Sequence, residues 1–248
     1  MTFEGKVVFI TGGARGIGRD YGNAFAKKGV AVALADIDFD SAHEATEQIR
    51  ASGARALAVA CDVADRTSVQ KAVSAANEAL GDIDILINNA GKHLLEFAQP
   101  ITELSVARWQ ELLAVNIMGV VNCSTACKPS MIQRGGGVIV NISSSAGFTS
   151  QNAYGVSKLA VRGLTVALAA ELADKGIRVF GLAPGIVDSD SAVEAMEHRR
   201  EAITARQLIK RPGRMEDLLG PLFLMCSDHA SFMTGETILV AGGYPSRL

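Results

Sequence analysis

The chain has 248 residues, 48% of them hydrophobic, with 24 basic and 26 acidic side chains and a formal net charge of -2. That is enough apolar chain to bury one large α/β core, and it suits a single domain over 1–248 better than two small ones. The two signs of charge are interspersed without a basic patch or tail, which argues against a nucleic-acid or membrane partner, and no apolar stretch nears the ~18 residues of a membrane span. The start of the chain lacks a basic lead into a long apolar run, so no secretory signal is expected. Cys61, Cys123, Cys127 and Cys226 read as reduced thiols of a cytoplasmic protein. Cys123 and Cys127 can share a helix face, but no histidine or further cysteine lies nearby in sequence, so no metal is expected.

Short, unalternated apolar runs occur at Val7–Ile10, Ala31–Ala35, Ala56–Ala60, Ile85–Ile87, Val138–Ile142, Ile177–Leu182 and Ile238–Ala241. Such runs suit strands buried on both faces of a parallel sheet. Helical patterning fills the intervals, and four helices are expected to end at Gly29, Gly53, Gly81 and Gly176. The repeated order predicts an α/β fold: a doubly wound, mostly parallel, seven-stranded sheet of Rossmann type. A charged helical segment at about 188–211 interrupts the alternation after a strand's carboxyl end. There it would flank the ligand crevice, so it reads as a substrate lid, with an ordinary surface helix pair as the plainer alternative.

The first strand runs straight into Thr11-Gly12-Gly13-Ala14-Arg15-Gly16-Ile17-Gly18, ahead of a helix. Glycines there let backbone N–H groups approach a pyrophosphate, and the helix dipole favours the anion. Asp36 closes the second strand, where a carboxylate can bind both hydroxyls of an adenosine ribose and repel a 2′-phosphate. Residue 37 is isoleucine and offers no offsetting cation, so NAD is expected over NADP. Arg15, placed to reach a 2′-phosphate, is the contrary feature.

Further motifs follow in order: Cys61-Asp62-Val63, Asn88-Asn89-Ala90-Gly91, Val115-Asn116, Asn141-Ile142-Ser143-Ser144, Tyr154-Gly155-Val156-Ser157-Lys158, Pro184-Gly185-Ile186-Val187, Arg211-Pro212-Gly213-Arg214 and Thr234-Gly235-Glu236-Thr237. With the Thr-Gly-x-x-x-Gly-x-Gly turn, this series resembles the classical short-chain dehydrogenase/reductase family over nearly the whole chain. The resemblance implies hydride transfer between a nicotinamide cofactor and a secondary alcohol or ketone. It gives Gly12, Gly16, Ile17 and Gly18 to the pyrophosphate, Asp62 and Val63 to adenine, Asn89 to the adenosine ribose, and Val187 and Ser189 to the nicotinamide carboxamide. It makes Asn116, Ser144, Tyr154 and Lys158 the catalytic group, with Asn116 holding a water and Lys158 also binding the nicotinamide ribose.

One helix face presents Tyr154 and Lys158, four residues apart. An ammonium at ~5 Å in an effective dielectric of ~20 supplies about 3 kcal/mol. Lowering a phenol by two to three units takes roughly that much, so Lys158 is expected to lower the Tyr154 pKa. Three departures from the family pattern stand out. Ser189 replaces a common threonine, Ala241 replaces a common aspartate, and the interval from the serines to Tyr154 is short. Counting back from Tyr154 reaches Asn141, whereas counting forward along the strand reaches Ser144. Loops change length more cheaply than strands, so Ser144 is expected to be catalytic, with a deletion in 145–153 that opens the pocket mouth near Phe148.

The substrate-pocket candidates are His93, Phe148 and Gln151, with Leu94, Leu95 and Met196. The set leans apolar and contains no arginine placed to bind a carboxylate. His93 has a plain loop-surface alternative. The helix after Lys158 is apolar nearly all round, and with the stretch near Ile117–Val121 it predicts a homo-oligomer, which the family resemblance implies is a dimer of dimers. Two other classes fit the scaffold: a dinucleotide sensor, and an epimerase or dehydratase that uses its cofactor within the cycle.

Overall fold

The computed structural model describes residues 3–187 and 197–245. Its strands are β1 (Val7–Thr11), β2 (Ala31–Asp36), β3 (Ala56–Ala60), β4 (Ile85–Asn88), β5 (Gly137–Ile142), β6 (Ile177–Pro184) and β7 (Thr237–Val240). They form one seven-stranded sheet in the order β3-β2-β1-β4-β5-β6-β7. Every pairing is parallel, which makes the expected mostly parallel sheet a wholly parallel one.

Each predicted strand lies within two residues of its observed position. The reason is that β1, β2, β4 and β5 are buried almost throughout, so a continuous apolar run is the only pattern they can carry. Alternation survives in the direction each side chain takes. Val8 and Ile10 face a core layer with α1 (Gly16–Ala26), α2 (Phe39–Ala51) and α9 (Met215–Cys226). Val7 and Phe9 face the opposite layer, built by α3 (Arg66–Leu80), α5 (Gly119–Gln133) and α7 (Ala153–Leu172). The four helix-ending glycines all take positive φ, from 70° to 100°.

The chain moves outward from β1 to β2 and β3, then returns to β4 on the other side of β1. Loops leaving β1 and β4 therefore diverge, and their carboxyl ends frame a crevice. α4 (Val106–Leu113) and a π-helical turn (Ala114–Met118) lead into α5, and a short α6 (Ala146–Thr149) follows β5. Of the expected lid, α8 (Glu197–Arg206) is described, and residues 188–196, with Ser189 and Met196, lie outside the described residues.

Candidate active site

The glycine turn closes on itself so tightly that a β-carbon at Gly18 would lie 2.1 Å from the Gly12 carbonyl oxygen. Asn89, just after β4, clamps the turn: its Nδ2 donates to the carbonyls of Thr11 at 3.0 Å and Gly12 at 2.9 Å. Helix α1 starts beyond it with no side-chain cap at Arg15 and no acid in its first turn, leaving its N-terminal dipole uncompensated by protein. Asp36 is held at the end of β2 by backbone donors, Ala14 N–H at 2.9 Å and Asp38 N–H at 3.1 Å. Its carboxylate thus both braces the turn and stays fixed for a ligand. Arg15 forms an ion pair with Asp38. Asp62 follows β3 and accepts the Ala64 N–H at 2.9 Å, and Val63 is buried against the α5 helix, where a β-carbon at Gly119 would meet its side chain.

At the carboxyl end of β5 the chain positions three serines differently. Ser143 is buried and donates to the Lys158 carbonyl at 2.8 Å. Ser144 Oγ accepts the Ala146 N–H at 3.1 Å, and its hydroxyl acts to lower the Tyr154 phenol. Ser145 leads α6 without a side-chain cap. Asn141 faces elsewhere, into a buried network with Asn88 at 2.8 Å and Thr165 at 3.1 Å. Of these four residues, Ser144 is the one whose side chain acts on the Tyr154 phenol.

Asn152 caps α7 by accepting the Gly155 N–H at 2.8 Å, which fixes Tyr154 in the first turn. The ring of Tyr154 packs on a small apolar cluster of Phe97, Leu104, Leu112 and Ala153. Burial pushes the phenol above its ordinary value, opposed by the Ser144 hydrogen bond. Lys158 is pushed down to about 8 by the same desolvation. This differs from the sequence expectation that Lys158 lowers Tyr154. Nζ lies 5.8 Å from the ring centroid and donates to the Ile142 carbonyl at 2.8 Å instead. Asn116 sits in the π-helical turn, where its Nδ2 donates to Ser157 at 2.9 Å and its Oδ1 accepts the Lys92 N–H at 2.8 Å. A β-carbon at Gly91 would come within 3.3 Å of both Asn116 Oδ1 and Lys158 Nζ, so these two groups converge on that glycine.

A cavity of about 660 Å³ joins these residues, and Arg15, Gly16, Ile17, Asn89, Ser144, Tyr154, Lys158 and Val187 all line it. Gly12, Gly18, Asp36, Asp62, Val63 and Asn116 lie outside that lining. Of the residues read for adenosine, Asp36, Asp62 and Val63 sit at the ends of β2 and β3, apart from that lining, whereas Asn89, just after β4, belongs to it. His93 and Gln151 line the wall, as does Leu94. Phe148 does not. Its ring stacks 3.7 Å from the Arg162 guanidinium, which also donates to the Gly147 carbonyl. The expected absence of an arginine also fails, because Arg206 of α8 lines the cavity with Ala202 and Ile203.

The profile of the short chain dehydrogenase family matches residues 6–200. The chain belongs to this family. It is 34% identical over 98% of both chains to the (2S)-[(R)-hydroxy(phenyl)methyl]succinyl-CoA dehydrogenase subunit BbsD of Thauera aromatica. It is 35% identical to the cis-4-hydroxycyclohexanecarboxylate dehydrogenase of Sinomonas cyclohexanicum, over 98% of this chain and 97% of that one. Among solved structures, one assigned as an NAD(P)-dependent gluconate 5-dehydrogenase from Beutenbergia cavernae, with NADP bound at low occupancy, superimposes with a TM-score of 0.89. It shares 34% identity and covers 99% of both chains.

Short-chain dehydrogenases bind a nicotinamide cofactor, and the residues present fit one. The turn has room for backbone but not for a β-carbon at Gly18, and the helix end behind it carries no competing acid. Ala241, where the family commonly has aspartate, is buried, and a β-carbon at Gly185 would lie 2.8 Å from its Cβ, so this small side chain closes the β6–β7 end by packing. Sequence reasoning missed Gly91, Lys92, Arg206 and Tyr244. The glycine stood in a quoted motif. Arg206 falls in the segment at about 188–211 read as a lid but was not singled out, and Lys92 and Tyr244 are brought to the cavity by tertiary packing that no local pattern marks.

Proposed function

We propose that the protein moves a hydride between NAD(H) and a secondary alcohol or ketone, with Tyr154 as general acid or base. The observation that carries this reading is the convergence of Ser144, Tyr154 and Lys158 at the end of β5 in one cavity, where the Ser144 hydroxyl opposes the rise of the Tyr154 phenol. When bound, the dinucleotide supplies or accepts the hydride. Tyr154 Oη gives the proton to the carbonyl oxygen in reduction and takes it back in oxidation. Ser144 Oγ orients that oxygen. Lys158 Nζ holds the ribose side of the site, and Asn116 fixes the Lys92 backbone while keeping one N–H and one lone pair for a water on the proton path.

The preference for NAD rests on Asp36, held by two backbone donors, and on the pairing of Arg15 with Asp38, which draws that guanidinium toward a carboxylate. The NADP carried by the Beutenbergia structure favours the second reading, in which Arg15 leaves Asp38 for a 2′-phosphate. Two relatives are named for hydroxylated substrates, which supports a secondary alcohol. Four free, buried cysteines suit a cytoplasmic setting, and no helix among the described residues is long and apolar enough to cross a membrane. The test is a panel of alcohols and ketones with NAD and NADP side by side, followed by nicotinamide absorbance. Tyr154→Phe is expected to lose ~10²–10⁴ in kcat with NADH affinity changed less than a few-fold. A variant close to native would remove Tyr154 from the mechanism, and substrate conversion without net cofactor change would favour an epimerase or dehydratase. A higher kcat/KM with NADP would overturn the cofactor assignment.

A further inference from the structure

The charges around the cavity are one-sided. Arg15, Lys92, Lys158 and Arg206 line it, and among the described residues no aspartate or glutamate does. Most of these cations are engaged. Arg15 pairs with Asp38, Lys92 Nζ lies 2.5 Å from Glu111, and Lys158 donates to the Ile142 carbonyl. Arg206 has no carboxylate partner among the described residues; its guanidinium lies 4.8 Å from the centroid of the Tyr244 ring. Such stacking spends the face of the guanidinium and leaves its edge donors free for a planar anion.

The pair is built into the fold. Gln207, the next residue, is buried, and the N–H groups of Leu208 and Ile209 both donate to the Gly242 carbonyl, at 2.8 and 3.0 Å. The end of α8 is thereby fastened to the C-terminal turn that carries Tyr244. That turn follows β7, the edge strand beyond β6. Strands lie ~4.8 Å apart, so the end of β7 is roughly 19 Å across the sheet from β1 and its glycine turn. Tyr154 and Ser144, at the end of β5, lie between. A pyrophosphate at the glycine turn is thus far from Arg206, while a substrate held at Tyr154 is within the same chamber.

We propose that the substrate of the redox reaction carries a carboxylate, which Arg206, braced by Tyr244, binds at the end of the cavity away from the glycine turn. This rests on the redox reading above, but its test does not require turnover. The enzyme is loaded with NADH or NADPH, whichever binds more tightly, and titrated calorimetrically with cyclohexanecarboxylate and with cyclohexanecarboxamide. These are unreactive probes of similar shape that differ in charge. The acid is expected to bind at least about tenfold more tightly than the amide, the scale of a charge-assisted hydrogen bond. Arg206→Gln is expected to erase that preference, and Arg206→Lys to keep part of it, with the affinity for the dinucleotide unmoved in both. Equal binding of acid and amide, no binding of either, or an undiminished preference in Arg206→Gln would overturn the proposal. So would a loss of dinucleotide affinity in that variant, since Arg206 would then serve the cofactor. Failure of both dinucleotides to bind the native protein would strike the redox reading itself.

Discussion

At Tyr154 burial favours the protonated phenol, and at Lys158 the same burial favours the neutral amine. The lysine is therefore the group that titrates first as pH rises. A folded-state pKa of about 8 against an ordinary 10.5 means that the unfolded chain binds more protons between those values, so stability rises with pH across that window. The cost of burying the ammonium is fully present below about pH 8 and fades toward 10.5. Urea unfolding of the native protein and of Lys158→Met, both without cofactor, is expected to show the native chain gaining relative to the variant as pH rises from 8 to 10. The change is on the order of 3 kcal/mol over the full window. A pH-independent difference would place that amine in water. The serines give a second residue-scale expectation. Ser144→Ala loses most activity, while Ser145→Ala keeps much of it. Ser143→Ala removes a bond to the Lys158 carbonyl and falls between. Steady-state assays of the three variants check the order, and a dead Ser145→Ala would shift the strand register by one. The position of Ser144 just past β5 was legible by counting along the strand, because a buried strand cannot slip without exposing its side chains. The pKa order was not legible, because the i,i+4 spacing fixes the helix face but says nothing of Ile142, whose carbonyl claims the ammonium.

Among the elements, those whose sequence pattern reports burial were readable and those whose shape is set by contacts were not. β1 and β4 announce themselves by continuous apolar runs, and the turn after β1 by glycines that the Gly12–Gly18 contact makes obligatory. The π-helical turn at Ala114–Met118 has no such signal, because no residue type or spacing marks a single i→i+5 turn within a longer helix. Its effect is to seat the Asn116 side chain, buried, against Ser157 and the Lys92 backbone. That the loop through 145–153 spends four residues on α6, and turns Phe148 onto Arg162, follows from packing that its own sequence does not encode. The glycine turn yields the expectation at this scale. Gly18→Ala places a methyl 2.1 Å from the Gly12 oxygen, so backbone must move where the pyrophosphate is to be cradled. NADH affinity is expected to fall by about tenfold or more, the worth of one charge-assisted hydrogen bond. Thermal stability reports the strain separately. An unchanged Kd would show that the turn does not carry the cofactor.

For the whole molecule, the feature left unbalanced is the outer face of α7. Its inner side packs under the sheet through Ala169 and Leu172, and the fully buried Thr165 bonds Asn141. Its outer side exposes Leu159, Ala160, Gly163, Val166, Ala167 and Ala170, spaced so that they form one stripe of small and apolar groups. Leu159 is 45% and Val166 59% exposed, against a polar outer face expected of a helix that meets only water. The neighbouring α5, tied to α7 by Lys128 and Glu171 at 3.7 Å, is preceded by Met118 at 47% exposure and exposes Ile132 at 44%. Small residues let two helices approach closely, and two-fold symmetry would set this stripe against itself, so that each apolar contact is made twice. A stable interface needs roughly 800 Å² from each partner, more than one helix stripe provides, so the α5 face is expected to contribute. Light scattering of the native protein at micromolar concentration is expected to give a tetramer. Val166→Glu, an exposed position whose change disturbs no core contact, is expected to give a smaller species with unaltered circular dichroism. Because Tyr154 and Lys158, proposed to carry the chemistry, stand on the first two turns of the same helix, the smaller species is also expected to melt at lower temperature and to lose activity on dilution. A native monomer, or a Val166→Glu protein of native size, would leave the stripe without the partner argued for it here.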